Sequence, residues 1–242
     1  MKSPKTTGRA KLMLETDIFV SIDFDGTIAE RDITDALIQR FAKPGWEEAE
    51  RLWEEGAIGS RQCLMAQMSL IDAPMEELLA HVDTFRIDPS FVEFVSYLRS
   101  TGTPFSIISD GFQVFIERML GNAGLSGIPV YANQLRRGEH GFEAHFPYAK
   151  KDCVSGTCKC AVADTVSEGA PVIHIGDGRS DFCIADEAVH VFSKGKLTRY
   201  CIENGIPHTD FKDFAAVKHS FAVLFERISG APRRTHQIDA NL

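Results

Sequence analysis

No apolar run in the 242-residue sequence approaches the length that crosses a bilayer, so a membrane-spanning helix is excluded. Positive charge is scarce: 26 Lys and Arg stand against 34 Asp and Glu, a net charge of -8. Phosphate backbones attract basic surfaces, so this balance argues against a nucleic-acid partner. The basic N-terminus, MKSPKTTGRAKLMLET, has no apolar core of the kind a signal peptide needs, and residues 1–16 read as a loose leader. Six cysteines without an export signal read as reduced thiols of a cytoplasmic protein. Internal repeats and low-complexity segments are both missing. What remains, 44% hydrophobic and 25% charged, is ordinary globular composition for one domain, or for a core carrying an insert, expected as a monomer or homodimer.

The stretch around which the chain is organised is Ile18–Ile28, IFVSIDFDGTI. Its opening run of Ile18, Phe19 and Val20 suits a strand buried on both faces of a parallel sheet. Side chains alternate along a strand, so Asp23 and Asp25 point the same way, at the end where open α/β sheets bind ligands. Two close carboxylates repel by about 4 kcal/mol at 4 Å and an effective dielectric of about 20. The pair persists if a cation lies between them or if one carboxyl keeps its proton, and either device serves catalysis.

Residues 33–85 show short amphipathic helical patterns and no strand, and read as a small helical insert between core segments 17–32 and 86–228. Its Met and Trp stripe reads as core packing. Strands are expected at 104–108, 128–131, 171–175 and, as the last of them, 189–192, with a polar hairpin over 135–146 turning at Gly138 and Gly141. Helices are expected at 89–100, 112–120, 159–168, 196–204 and 212–227, before a polar tail over 229–242. Alternating strands and helices predict an α/β fold with a doubly wound parallel sheet.

Polar groups recur at the ends of four of these segments. Asp23 and Asp25 come first. Ser109, followed by Asp110 and Gly111, opens an expected helix whose N-terminal N–H groups suit an anion. Lys159, between Cys158 and Cys160, supplies a mobile point charge. Asp177 and Asp181 in GDGRSD close the series. Carboxylates in this excess over one lysine call for a hard cation, and oxygen ligands beside a phosphate suit Mg²⁺. Alone, each signal is an ordinary turn or a solvated side chain; the ordered set is not.

This ordered set resembles the four motifs of the haloacid dehalogenase superfamily of phosphotransferases, spanning Ile18 to Asp181. The resemblance implies a Rossmann-like core of strand order 3-2-1-4-5. It makes Asp23 the nucleophile that becomes a phosphoaspartate, and Asp25 the acid and base acting on the leaving oxygen and then on water. It puts Ser109, Asp110, Gly111 and Lys159 at the phosphate. Mg²⁺ falls to Asp23, the Asp25 backbone carbonyl and Asp177, with Asp181 on the metal side or orienting the lysine. A general acid two residues after the nucleophile favours transfer of phosphate from a small ester over dehalogenation. An insert between the first two motifs resembles the small cap of the phosphoserine phosphatase branch. Within that branch, the cysteines around Lys159, the Phe182-Cys183 pair and the segment 194–211 resemble the methionine-salvage phosphatases acting on 2-hydroxy-3-keto-5-methylthiopentenyl 1-phosphate. Phosphoethanolamine/phosphocholine phosphatases share some of these features, and phosphoserine phosphatases fit less well, since Met65 falls where their carboxylate-binding Arg is expected. Asp32 and Arg61 are the candidates for touching the leaving group, beside the bland alternative of cap-surface charges. Cys153, Cys158 and Cys160 are weighed as zinc ligands with Cys183 or His145, although their spacing is not a usual zinc pattern. His174 reads as a satisfied core histidine. A non-enzymatic phosphoreceiver module is the rival class; it is shorter and lacks an insert.

Overall fold

A central strand buried on both faces anchors the architecture. In β1 (Phe19–Ile22), Val20 and Ile22 face a large apolar cluster that includes Phe91, Phe94 and Ile107. Phe19 faces a second cluster, with Ile108, Val162 and Ile184. The computed structural model describes residues 18–139 and 141–229, so the expected leader and nearly all of the expected polar tail lie outside the described residues.

β1 lies between β2 (Phe105–Phe112) and β5 (Val172–Gly176). With β3 (Val130–Arg137), β4 (Phe142–His145), β6 (His190–Ser193) and β7 (His208–Asp210), these form one sheet of order β4-β3-β2-β1-β5-β6-β7. All neighbours are parallel except β3 and β4, the antiparallel hairpin. The expected 3-2-1-4-5 order is therefore present as β3-β2-β1-β5-β6, extended at both edges. One extension is a correction: β6 is not the last strand, because three residues after Pro207 pair with it as β7. A short polar edge strand offers no apolar run to read.

Four helices, α1 (Ile33–Phe41), α2 (Trp46–Glu54), α3 (Ser60–Ser69) and α4 (Met75–Val82), follow β1. The chain leaves and re-enters the core side by side, with Ala29 bridged to Ile87 and Asp88 N–H donating to the Ile28 carbonyl at 2.9 Å. Leu37, Ile38, Met68, Leu78 and Val82 are buried in the same cluster as the sheet, so the insert is packed onto the core. Trp46 joins that packing, whereas Trp53 lines a cavity. α5 (Ser90–Thr101), α6 (Gln113–Asn122), α7 (Lys159–Val166), a single 3₁₀ turn (Arg179–Asp181), α8 (Phe182–Ala185), α9 (Gly195–Asn204) and α10 (Phe214–Ser229) complete the described chain. Among the described residues no helix is long and apolar enough to cross a membrane.

Candidate active site

Asp23 directly follows β1, and its N–H donates to the Ile175 carbonyl of β5 at 2.9 Å. The sheet itself thus fixes its backbone. Lys159, the first residue of α7, is fully buried; its Nζ lies 2.7 Å from Asp23 Oδ1 and 2.5 Å from Asp181 Oδ1. Asp181 is held on both sides. Oδ1 also meets His174 Nε2 at 3.0 Å, and Oδ2 accepts the N–H groups of Asp177 at 3.0 Å and Gly178 at 2.9 Å. His174 completes its own bonding with Ser21 Oγ at 3.2 Å, as expected of a satisfied core histidine, but it is wired to the site. Asp177 Oδ1 accepts from Thr27 Oγ1 at 3.0 Å. This close approach requires Gly26: its φ is +68°, and a Cβ there would sit 2.5 Å from Asp177 Oδ2.

Asp25 borders the same cavity as Asp23 and Asp177. Its Oδ1 accepts the Ile33 N–H at 2.9 Å, and its Oδ2 lies where a Cβ on residue 111 would be, which only glycine leaves free. Ser109 is buried, and its Oγ accepts the Gly111 N–H at 3.0 Å. Ser109, Asp110 and Gly111 do not open a helix as the sequence suggests. They belong to β2, whose register against β3 shifts between Ile108 and Phe112, and the helix begins at Gln113. Asp110 turns to structural work: Oδ2 accepts from Ser60 Oγ at 2.5 Å, and Oδ1 accepts from Thr157 N–H at 2.8 Å and Asn133 Nδ2 at 3.2 Å. A carboxylate so engaged ties the insert to the lysine-bearing loop. Asp32 caps α1 by accepting the Asp35 N–H at 2.9 Å and also lines the cavity. Arg61 does not line it: its Nη2 donates to the carbonyls of Lys150 and Cys153. Sequence reading assigned no role to Thr27 or Thr157, though each adjoins a motif; Ser60 and Asn133 carry no local signal, because their bonds join segments 50 and 24 residues apart.

Burial raises the pKa of Asp23 well above the usual carboxylate range, with repulsion from Asp181 adding and Lys159 opposing. Asp25 is also raised well above it, by burial first and by Asp32 and Asp23 after. Enclosure thus outweighs repulsion from the neighbouring carboxylates. Asp177 is raised to about 6, by burial and then Asp181. For Lys159, burial opposes the ammonium, but Asp181 and Asp23 outweigh it and raise the pKa. Burial likewise opposes ionised Asp181, which Lys159 and His174 hold well below the ordinary carboxylate range.

The cavity measures about 1100 Å³ and runs from Asp23 to the insert. The insert closes over it through Ser60 to Asp110, Arg61 to the 150–153 loop, and Arg179 Nη1 to the Trp53 and Glu54 carbonyls at 3.1 and 3.2 Å. Among the described residues, the acids whose oxygens lie close enough to share one metal ion are Asp23, Asp177 and Asp181, all within 4.8 Å of one another. The Asp25 carboxylate is outside this group. So are the cysteines: all six are free, and the Cys158 and Cys160 sulfurs, 3.4 Å apart, belong to no set that could hold an ion.

A family model described as haloacid dehalogenase-like hydrolase matches residues 20–186. A 2-hydroxy-3-keto-5-methylthiopentenyl-1-phosphate phosphatase of Exiguobacterium sp. is 30% identical over 203 residues, covering 81% of this chain and 93% of that protein. One of the same name from Geobacillus thermodenitrificans is 28% identical, covering 83% and 94%. Among solved structures, a substrate-bound phosphoserine phosphatase complex superposes with a TM-score of 0.65 at 18% identity, covering 84% of this chain and 97% of the other. A phosphoserine phosphatase from T. onnurineus gives 0.64 at 17% identity, with 88% and 98% covered.

Proposed function

Since the chain belongs to the haloacid dehalogenase-like hydrolase family, we propose that it is a Mg²⁺-dependent phosphomonoesterase that transfers the phosphoryl group of a small ester to Asp23 and then to water. The observation that carries this reading is the placement of Asp23 between a buried ammonium, 2.7 Å away, and the free side of Asp177.

The donor set fits a hard divalent ion. Asp181 has both oxygens engaged, but Asp23 Oδ2 and Asp177 Oδ2 accept no hydrogen bond from the described residues. Two carboxylates, with the Asp25 backbone carbonyl that the family resemblance implies and retained waters, would make a suitable Mg²⁺ site. When bound, the ion keeps Asp23 ionised and offsets charge on the phosphoryl oxygens.

The chain's own residues do the rest. Asp23 attacks phosphorus, and the ester oxygen leaves with a proton from Asp25, whose enclosure favours the protonated acid. Asp25 then takes a proton from the water that opens the phosphoaspartate. Ser109, which accepts from Gly111 N–H, keeps its own hydroxyl hydrogen for a phosphate oxygen, and Lys159 neutralises another. The insert, tied across the cavity through Ser60, Arg61 and Arg179, would limit the access of bulk water to the reacting atoms. The relatives' shared name supports 2-hydroxy-3-keto-5-methylthiopentenyl 1-phosphate, an ester of methionine salvage, as the first substrate to test. Phosphoserine is disfavoured because Arg61, the nearest stand-in for a carboxylate-binding group, is committed to two carbonyls. Six free cysteines support a reducing, cytoplasmic setting.

Phosphate release from p-nitrophenyl phosphate with and without Mg²⁺ tests the reading. Mg²⁺-dependent turnover that falls to the buffer background in Asp23→Asn is expected. Turnover retained in that variant would remove Asp23 as nucleophile.

A further inference from the structure

Five of the six cysteines border the cavity, and none has a part in the phosphoryl chemistry. Two of the six are inert by their surroundings. Cys201 is fully buried among Ala185, Val191 and Leu197. Cys63 Sγ meets Glu50 Oε2 at 3.9 Å, and burial, with Glu50 adding, pushes its pKa up to about 12, so it stays a thiol.

Cys158 and Cys160 stand in a different relation. They flank Lys159 in the chain, and their sulfurs are in contact, 3.4 Å apart. Residues two apart span at most about 7 Å, and a disulfide takes Cα atoms about 4.4–6.8 Å apart, so these two can bond with no other element moving. Cys183 also faces Cys160, but it sits on α8, and a bond to it would draw two helices together. Cys160 is half-buried and Cys158 is 4% exposed, and both border the cavity, so a small oxidant reaches the pair by the route a substrate takes.

The residue between them makes the pair consequential. Cys158 caps α7; its N–H donates to the Tyr148 carbonyl at 3.0 Å, and its carbonyl accepts the Val162 N–H at 3.0 Å. Its backbone is therefore held on both sides. Drawing the sulfurs from contact into a bond has to be absorbed at Lys159 and Cys160, the first residues of α7. Lys159 Nζ lies 2.7 Å from Asp23 Oδ1, and a misplacement of about 1 Å in such a group costs about a hundredfold in rate.

We infer that Cys158 and Cys160 are a redox modification site, a dithiol that hydrogen peroxide converts to a disulfide, and that this bond displaces Lys159 from Asp23 and lowers turnover. One sulfur attacks a peroxide oxygen, the O–O bond breaks, and the other oxygen leaves as water with the thiol hydrogen, giving a sulfenic acid. The second sulfur attacks the first, the S–O bond breaks, and that oxygen leaves as water with the second hydrogen. The two thiols give up two electrons and the peroxide takes them. A small strained ring is readily reduced, so a dithiol reagent reopens it. Formation of the bond is independent of the phosphomonoesterase reading; its effect on turnover rests on that reading.

The test treats reduced full-length protein with hydrogen peroxide, removes the excess with catalase, blocks free thiols with N-ethylmaleimide and maps tryptic peptides by mass spectrometry. The expected product joins peptide 152–159 to peptide 160–179 through Cys158 and Cys160, with Cys153 blocked. With Mg²⁺ and p-nitrophenyl phosphate, kcat is expected to fall by about tenfold or more and to recover with dithiothreitol. Cys158→Ser, which keeps a good capping residue, and Cys160→Ser are expected to retain reduced activity and to resist peroxide. Cys183→Ser is expected to remain sensitive. Absence of the joined peptides, or a link from 160–179 to 180–194 through Cys183 instead, overturns the pair. A bond formed with turnover unchanged overturns the displacement of Lys159. If the reduced protein does not hydrolyse p-nitrophenyl phosphate, the phosphatase reading falls and with it the effect on turnover, while the peptide map still decides the dithiol. The wild-type map does so even if a variant does not fold.

Discussion

Replacing Asp181 with Asn separates charge from shape at the most enclosed point of the site. In the wild-type protein Oδ1 faces two donors, Lys159 Nζ and His174 Nε2, and Oδ2 faces two more, the N–H groups of Asp177 and Gly178. An amide has one oxygen and one NH₂. Turned one way the NH₂ meets the N–H groups of Asp177 and Gly178, and turned the other it meets the Lys159 ammonium, in a fully buried place. Lys159 also loses one of its two counter-charges. Removing one partner of a buried ion pair costs about 3–5 kcal/mol. For a domain of this size each kcal/mol lowers Tm by about 2–4 °C, so a fall of about 6–20 °C is expected. Calorimetry in metal-free buffer measures it. The sign with pH is also fixed. Asp181 has a folded pKa well below its unfolded one, so its contribution is fully present above the unfolded value and is lost only as pH falls through the folded one. The gap between variant and wild type is expected to hold from neutral pH down to about pH 4. A fall of less than about 2 °C at neutral pH would refute the claim that these four donors depend on a carboxylate.

Two other outcomes follow from the same geometry. Asp25→Asn keeps the acceptor for the Ile33 N–H but has no proton to give, so turnover on alkyl phosphates is expected to drop by about 10²–10⁴. Phosphorylated Asp23 should accumulate, detectable by quench and mass spectrometry; unchanged kinetics would take Asp25 out of proton transfer. Without metal, Asp23 and Asp177 have raised folded pKa values, so the protein loses stability as pH rises from the unfolded value through about 6. Mg²⁺ held by these carboxylates would bind their ionised forms, so its gain in Tm is expected to be larger at pH 7.5 than at pH 5. An equal or reversed gain would mean that these carboxylates are not the ligands.

Local pattern carried the core of this protein. The both-faces-apolar run before Asp23 made a central strand legible, and the positions of Ser109, Lys159 and Asp177 at later junctions made a shared site legible, because parallel strands bring such ends together. Those residues border one cavity or touch one that does. The hairpin through Gly138 and Gly141 was legible from turn chemistry alone. The irregular end of β2 was not, because its register shift arises from pairing with β3 and leaves no trace in the order of residues 109–111. Three-residue β7 exists because β6 offers an edge. The fates of Asp110 and Arg61 were decided by partners far along the chain, Ser60 and the 150–153 loop. A charged side chain states its charge in the sequence; which donor or acceptor consumes it depends on what the fold brings within 3 Å. The order of residues was enough to bring carboxylates and a lysine to one edge of the sheet. Which carboxylates stay free for a ligand follows from the fold, since that depends on enclosure and on hydrogen bonds formed across the chain.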